Sequence, residues 1–264
     1  MGETIARPNL FELVGRKILN LFAGIGGVSV LTFNLFKALP KGILRTHLVF
    51  QQMLHMGVNS LPLVFLTSLF TGAVTSVQAA YQFNELLSLR YLGSAVSKAV
   101  IIELGPVLTA LVVTGRVGAS IAAELGTMKV TEQIDALETL ALDPSEYLVV
   151  PRFIAGLIML PVLTVFANVI AILGGLGVAV NFLDVTSHTF LTSVKSFFDL
   201  TDLWAGLTKS FAFGAIIAII GCYYGFTTKG GAEGVGRSTT NAVVVASVLI
   251  LISDYILASI IFGT

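Results

Sequence analysis

Charge is what this sequence has least of. Lys, Arg, Asp and Glu make up 11% of its 264 residues, where a soluble domain of that length carries about a quarter. Too few charges remain to cover a soluble surface, so the soluble classes are excluded. The fifteen basic and fifteen acidic residues balance to a formal charge of zero, so no global field attracts nucleic acid. The single cysteine, Cys222, cannot close an internal disulfide, and His47, His55 and His188 are scattered without ligand spacing. A cleavable leader is not expected, because Glu12, Gly15, Arg16 and Lys17 interrupt the first apolar run. Domain linkers, low-complexity tracts and internal repeats are missing too, so residues 1–264 read as one membrane domain.

Apolar runs supply what is there. Hydrophobic residues are 55% of the chain, and roughly 20 in succession cross a bilayer. Five segments qualify, at about 53–82, 95–127, 153–182, 203–228 and 241–262. The run at 18–36 is weaker, because Gly24, Gly26 and Gly27 disfavour a straight helix. Before it, Leu10, Val14, Ile18 and Leu21 share one helical face and Glu12, Arg16 and Asn20 another, the pattern of a helix in the interface plane. The expected fold is therefore all-α and membrane-integral, with five transmembrane helices after an N-terminal interfacial or elbow region at 1–46. With five spans, Arg7, Arg16, Lys17, Lys37, Lys41, Arg45, Lys129, Arg152, Lys229 and Arg237 share one side, against Arg90, Lys98, Lys195 and Lys209. The positive-inside rule then puts the N-terminus in the cytoplasm and the C-terminus outside.

Residues 103–140 hold the unusual features. Gly115, Ala119, Ala122 and Gly126 recur at spacings of four, three and four, a small-residue stripe that lets another helix approach, within a subunit or across a dimer. Arg116 lies inside the span, too far along the axis to pair with Glu103 or Glu124 (about 20 and 12 Å at 1.5 Å per residue). It therefore needs the cytoplasmic interface or a carbonyl on a neighbouring span. Glu103 precedes Gly105-Pro106, a bend that can turn a carboxylate toward a water-accessible cavity. Beyond Gly126 the chain becomes amphipathic, with Val130, Ile134 and Leu137 on one side and Glu132, Gln133, Asp135 and Glu138 around the rest. Asp143-Pro144 ends that segment.

The stretch "ELGPVLTALVVTGRVGASIAAELGTMKVTEQIDAL", followed by "DPSEYLVVPRFIAG", resembles the signature region of MlaE-type permeases. These are membrane subunits of ABC transporters that move phospholipids or other lipids with MCE-domain partners. The likeness runs from the N-terminal region to "RSTTNAVVVASVLILISDYILASIIFG". It implies a homodimer of five-span subunits in the cell inner membrane, two cytoplasmic ATPase subunits, a hexameric MCE-domain protein on the periplasmic side, and a small cytoplasmic accessory protein. This chain would hold no cofactor and catalyse no reaction, since ATP and Mg would be bound by the ATPase. Residues 128–140 would be the coupling helix, with Met128, Lys129, Glu132, Gln133, Asp135 and Glu138 facing the ATPase. The lipid cavity would lie at the dimer interface, lined by Thr75, Gln78, Phe83, Glu103 and Leu104. "TSVQAAYQFNE" in the first span is more polar than acyl chains require. A plastid envelope is the other membrane the resemblance allows, and the lack of a Ser/Arg-rich leader favours a bacterial one.

One motif is a decoy. "GAEGVGRS" (231–238) nearly fits the phosphate-loop pattern, with Arg237 in place of Lys, but it lies between spans and not in a strand–loop–helix unit. A Gly-rich cytoplasmic turn is expected there. The rival function is an ion-coupled secondary transporter using Glu103 or Asp254. An intramembrane enzyme finds no paired nucleophile and base.

Overall fold

The computed structural model describes residues 10–83 and 88–263. Arg7 lies outside them, and so do the side chains of Leu10, Glu12, Val14, Arg16, Ile18, Asn20 and Leu21. Among the described residues the chain is helical without strands, and six helices are long and apolar enough to cross a membrane.

The chain begins with α1 (Leu10–Gly42), then α2 (Thr46–Met56) and α3 (Leu61–Phe83). A 3-10 turn at Val58–Ser60 joins α2 to α3 in one apolar stretch. The next stretch, Leu89–Val130, contains α4 (Leu92–Ala99), α5 (Gly105–Val113) and α6 (Ala119–Val130). Short α7 (Gln133–Thr139) follows, then α8 (Val150–Phe182), α9 (Ser187–Ser196), α10 (Leu200–Phe226) and α11 (Gly231–Phe262).

Three π-helical turns interrupt these runs, at Val100–Leu104, Thr114–Gly118 and Ser145–Val149. Two of them directly precede a proline, Pro106 and Pro151. Proline cannot donate to the carbonyl four residues back and its ring crowds it, so a widened turn there relieves both problems.

Glycines set how closely the long helices approach. A Cβ on Gly72 of α3 would overlap the Ala171 carbonyl of α8, and one on Gly174 would overlap the Leu69 carbonyl. Gly156 of α8 and Gly214 of α10 abut each other's carbonyls in the same way. In lipid such approach replaces the hydrophobic effect as the source of association. Gly72→Ala is expected to lower stability by about 1–3 kcal/mol through overpacking, while Gly115→Ala, which meets open space, stays within about 0.5 kcal/mol. Melting of the two purified variants checks the contrast.

Three expectations need correction. The N-terminal glycines do not break the helix: α1 is continuous for 33 residues, and Gly27 provides the space into which the Tyr223 ring fits. Residues 231–238 are not a turn but the first turns of α11, with an exposed Arg237–Glu233 pair at i, i+4. The turn itself is made by Gly230 and Gly231 at φ +92° and +69°. Lys209 and Arg152 are not loop cations either, since both are buried within the bundle. In the expected five-span arrangement each side then loses one cation.

Candidate functional site

Lys209 of α10 is completely buried, and two carboxylates meet it. Its Nζ donates to Glu103 Oε2 at 2.5 Å and stands 2.9 Å from Asp254 Oδ1 of α11. Three stretches of the bundle thus converge on one ammonium. The π turn at Val100–Leu104 carries Glu103, and Gly206, one turn before Lys209, lies against the Ile101 carbonyl and the Pro106 ring. That close approach brings the α10 backbone to the bend and sets Lys209 beside Glu103. Two carboxylates around one ammonium leave a surplus negative charge when all three are ionised. The Glu103 side chain is 45% exposed and Asp254 14%, so only Glu103 opens outward.

α3 carries a polar edge of its own. Thr67, Thr71, Thr75 and Gln78 follow at helical spacing, and the three hydroxyls donate to carbonyls of their own helix. Thr67 and Thr71 share a crevice with Leu104 and Leu108. Of the expected cavity residues, Leu104 therefore meets the first span directly. Gln78 is exposed and Thr75 and Phe83 partly so, and Glu103 is paired with Lys209 rather than with any of them. A cavity of about 780 Å³ lies elsewhere, between Leu89, Arg90 and Tyr91 on one side and Asp184, His188 and Phe197 on the other.

Arg116 finds the neighbouring span. Its Nη1 donates to Ser60 Oγ at 2.7 Å and to the His55 carbonyl at 3.3 Å, in the break between α2 and α3. Glu124 pairs with buried Arg152 at 2.7 Å. The small-residue stripe is split by the π turn at Thr114–Gly118, which rotates the register. Gly115 faces open space, while Gly118, Ala122 and Gly126 meet Gly221, Gly225 and Thr228 of the α10 side. Ala119 is partly buried.

The charged segment is two pieces rather than one helix over 128–140. Met128 and Lys129 end α6, and Met128 packs against the core. Glu132 then adopts φ +61°, reversing the chain before α7. Lys129 holds Asp135 at 2.6 Å, and Gln133 donates to Thr131 Oγ1. Glu132, Gln133, Asp135 and Glu138 are exposed, whereas Ile134, 2% exposed, pins α7 to the bundle.

Outside the spans, the Thr201 N–H donates to Asp199 and holds that carboxyl below its ordinary range. The Arg45 guanidinium is held further toward its charged form by the hydrogen bond to Glu146. Sequence reasoning missed Lys209. A lysine nine residues into a span, with two intramembrane carboxylates elsewhere, was the available signal.

A bundle of close-packed apolar helices with a buried ion cluster and an exposed acidic helix at one end defines a multi-pass membrane protein of the transport class. The Permease MlaE family model matches residues 49–260, and the chain belongs to that family. It is 43% identical over 254 residues to a probable ABC transporter permease protein of Rickettsia typhi, covering 96% of this chain and 98% of that one. A probable ABC transporter permease protein of Synechocystis is 44% identical over 232 residues, 88% of each chain. The intermembrane phospholipid transport system permease protein MlaE of Haemophilus influenzae is 34% identical over 258 residues, covering 97% and 98%.

Proposed function

We propose that this chain is the permease subunit of an ATP-driven transporter that moves phospholipid or a related hydrophobic substrate between membranes. Two copies form the conduit, with the lipid cavity at their interface. The observation that carries the reading is the open edge between α3 and the Leu89–Val130 stretch. It joins apolar Leu104 and Leu108 to the hydroxyl-bearing Thr67 and Thr71, so it suits an amphiphile. Two cytoplasmic ATPases bind ATP and Mg and grip α7, a hexameric MCE-domain protein receives lipid on the periplasmic side, and a small cytoplasmic accessory protein completes the complex. The chain sits in the bacterial inner membrane with its N-terminus cytoplasmic and its C-terminus periplasmic.

In this reading five helices cross and α1 lies in the interface as an elbow. Its contacts support that placement. Gly27 meets Tyr223 near the end of α10, and Gly42 meets Val150 at the start of α8. Measured from the Gly156–Gly214 contact, those two points differ by only about 5 Å along the bundle, whereas α1 advances about 22 Å between them. Leu19, Phe22, Ile25, Val30 and Phe33 face outward, as an interfacial helix in lipid requires. The ion-coupled alternative loses its free carboxylates, because Lys209 engages both Glu103 and Asp254.

A photo-crosslinking residue at Phe83 or Leu104 is expected to capture phospholipid in the assembled complex, several-fold above one at Tyr255 on the outer face of α11. Equal labelling at all three positions defeats the cavity placement. Lipid movement by the chain alone on a proton gradient, without the ATPase, defeats the ATP-driven reading.

A further inference from the structure

The junction between α1 and α2 is stapled to the segment by which α7 rejoins the bundle. Arg45 lies between α1 and α2. Its Nε and Nη2 both donate to Glu146 Oε1, at 2.9 and 2.6 Å, and its guanidinium carbon stands 3.7 Å from the centre of the Tyr147 ring. The Glu146 side chain is only 14% exposed. Glu146 and Tyr147 sit on the π turn Ser145–Val149, between α7 and α8, and the Asp143 carboxylate accepts from the Ser145 N–H at the start of that turn. On either side of Arg45, the contact of Gly42 with Val150 and the edge-on stack of Phe36 on Phe153 join the same two pieces of chain. A half-buried guanidinium that converges two N–H groups on one carboxylate oxygen and lies over an aromatic ring fixes direction as well as distance.

We infer that Arg45 is a positioning residue that carries movement of α7 to α1 and to the first span. The inference rests on the reading of α7 as the docking point of the ATPase. Displacing α7 pulls on residues 140–144 and the π turn. Through Glu146 and Tyr147 that pull reaches Arg45, and from there α2 and then α3, which forms one edge of the proposed cavity. The Gly42–Val150 contact alone can push but not pull, because it is van der Waals contact without attraction at longer range. The charge-assisted pair acts in both directions.

The test uses the complete complex, purified through a tag on this chain and reconstituted in phospholipid vesicles, with ATP turnover and lipid transfer read together. The variants are Arg45→Met, Glu146→Gln and the exchange Arg45→Glu with Glu146→Arg. ATP-dependent transfer by the wild-type complex first establishes the underlying reading, and its absence would count against that reading rather than against Arg45. Each single variant is then expected to assemble with its ATPase and turn over ATP within about twofold of wild type. Lipid moved per ATP should fall about tenfold. The exchanged pair should recover at least a third of the wild-type ratio. An unchanged ratio in the single variants overturns the inference. So does a parallel fall of ATP turnover and transfer, which a merely structural contact would produce, or an exchanged pair no better than the singles.

Discussion

Lys209→Met is expected to cost the membrane domain about 3 kcal/mol, near the lower end of the range for removing one partner of a buried ion pair. The side chain is fully enclosed, and its removal leaves Asp254, 14% exposed, facing Glu103 without a counter-ion. Two carboxylates then repel each other across a site that a single ammonium had neutralised. Because Glu103 is nearly half exposed, solvent screens part of its charge, and the upper end of the range is not reached. A loss of that size corresponds to a fall in melting temperature of roughly 6–12 °C for a chain of this length. The only tryptophan, Trp204, lies on the same helix and is largely exposed, so its fluorescence reports the transition in nanodiscs. Neutralising the whole cluster with Lys209→Met, Glu103→Gln and Asp254→Asn should recover most of the loss, since no charge then lacks a partner. A single variant melting within a degree of wild type would show that the cluster contributes nothing to the fold. A triple variant as unstable as the single would show that shape, not charge, was at stake.

The same cluster shows which parts of the structure the sequence carried in readable form. Apolar length was the readable feature, because lipid demands about 20 apolar residues wherever a helix crosses: each of the five expected ranges lies largely within one of six long apolar helices, and the sixth, Phe22–Gly42, falls in the run read as an elbow. Contacts between helices were harder to read. Lys209 looked like a residue near a span end that could reach water, and nothing in the local pattern says that Gly206 draws α10 onto Ile101. The stripe from Gly115 to Gly126 was counted on a uniform 3.6-residue period, and the π turn at Thr114–Gly118 moved Gly115 out of the contact and Gly118 into it. Arg116 was better constrained: a cation inside a span needs an oxygen, and the Ser60 hydroxyl and His55 carbonyl supply two. The α1 error came from applying glycine's helix penalty, about 1 kcal/mol per residue, without the tertiary contact that offsets it at Gly27. Met128 illustrates the limit at the other end. It belongs to the family motif yet faces the core, a direction set by where α6 stops and not by the motif.

Charge reversal at Glu132 and Asp135, as Glu132→Lys with Asp135→Lys, is expected to release the ATPase while the membrane domain stays folded. Both side chains are exposed, and α7 is anchored by Ile134 rather than by its charges. Among the described residues the intramolecular partner disturbed is Lys129, in an exposed pair with Asp135, and such pairs contribute about 0.2–1 kcal/mol. Stability should therefore change by less than about 1 kcal/mol, and Trp204 fluorescence should show nearly the wild-type melt. Across an interface the arithmetic differs. Charges that become enclosed against a partner cost about 2–5 kcal/mol each when their counterpart is left unpaired, so two reversals predict at least a hundredfold weaker association. Quantitative pull-down from membranes, with the chain as bait, reads this directly. Met128→Leu serves as the matched control: Met128 packs inward, and a volume-conserving apolar exchange there should leave the ATPase bound. Retention of the ATPase at wild-type stoichiometry in the reversed variant would remove α7 from the coupling role. Loss of the ATPase with Met128→Leu as well would mean that the partner reads the α6 end and its packing rather than the acidic face. Glu132 also makes the turn between α6 and α7 at φ +61°, a conformation costing a non-glycine residue about 1–2 kcal/mol. Glu132→Gly with Asp135 intact therefore separates backbone from charge. It relieves that strain and removes one carboxylate, so association should weaken less than in the double reversal while the melt rises.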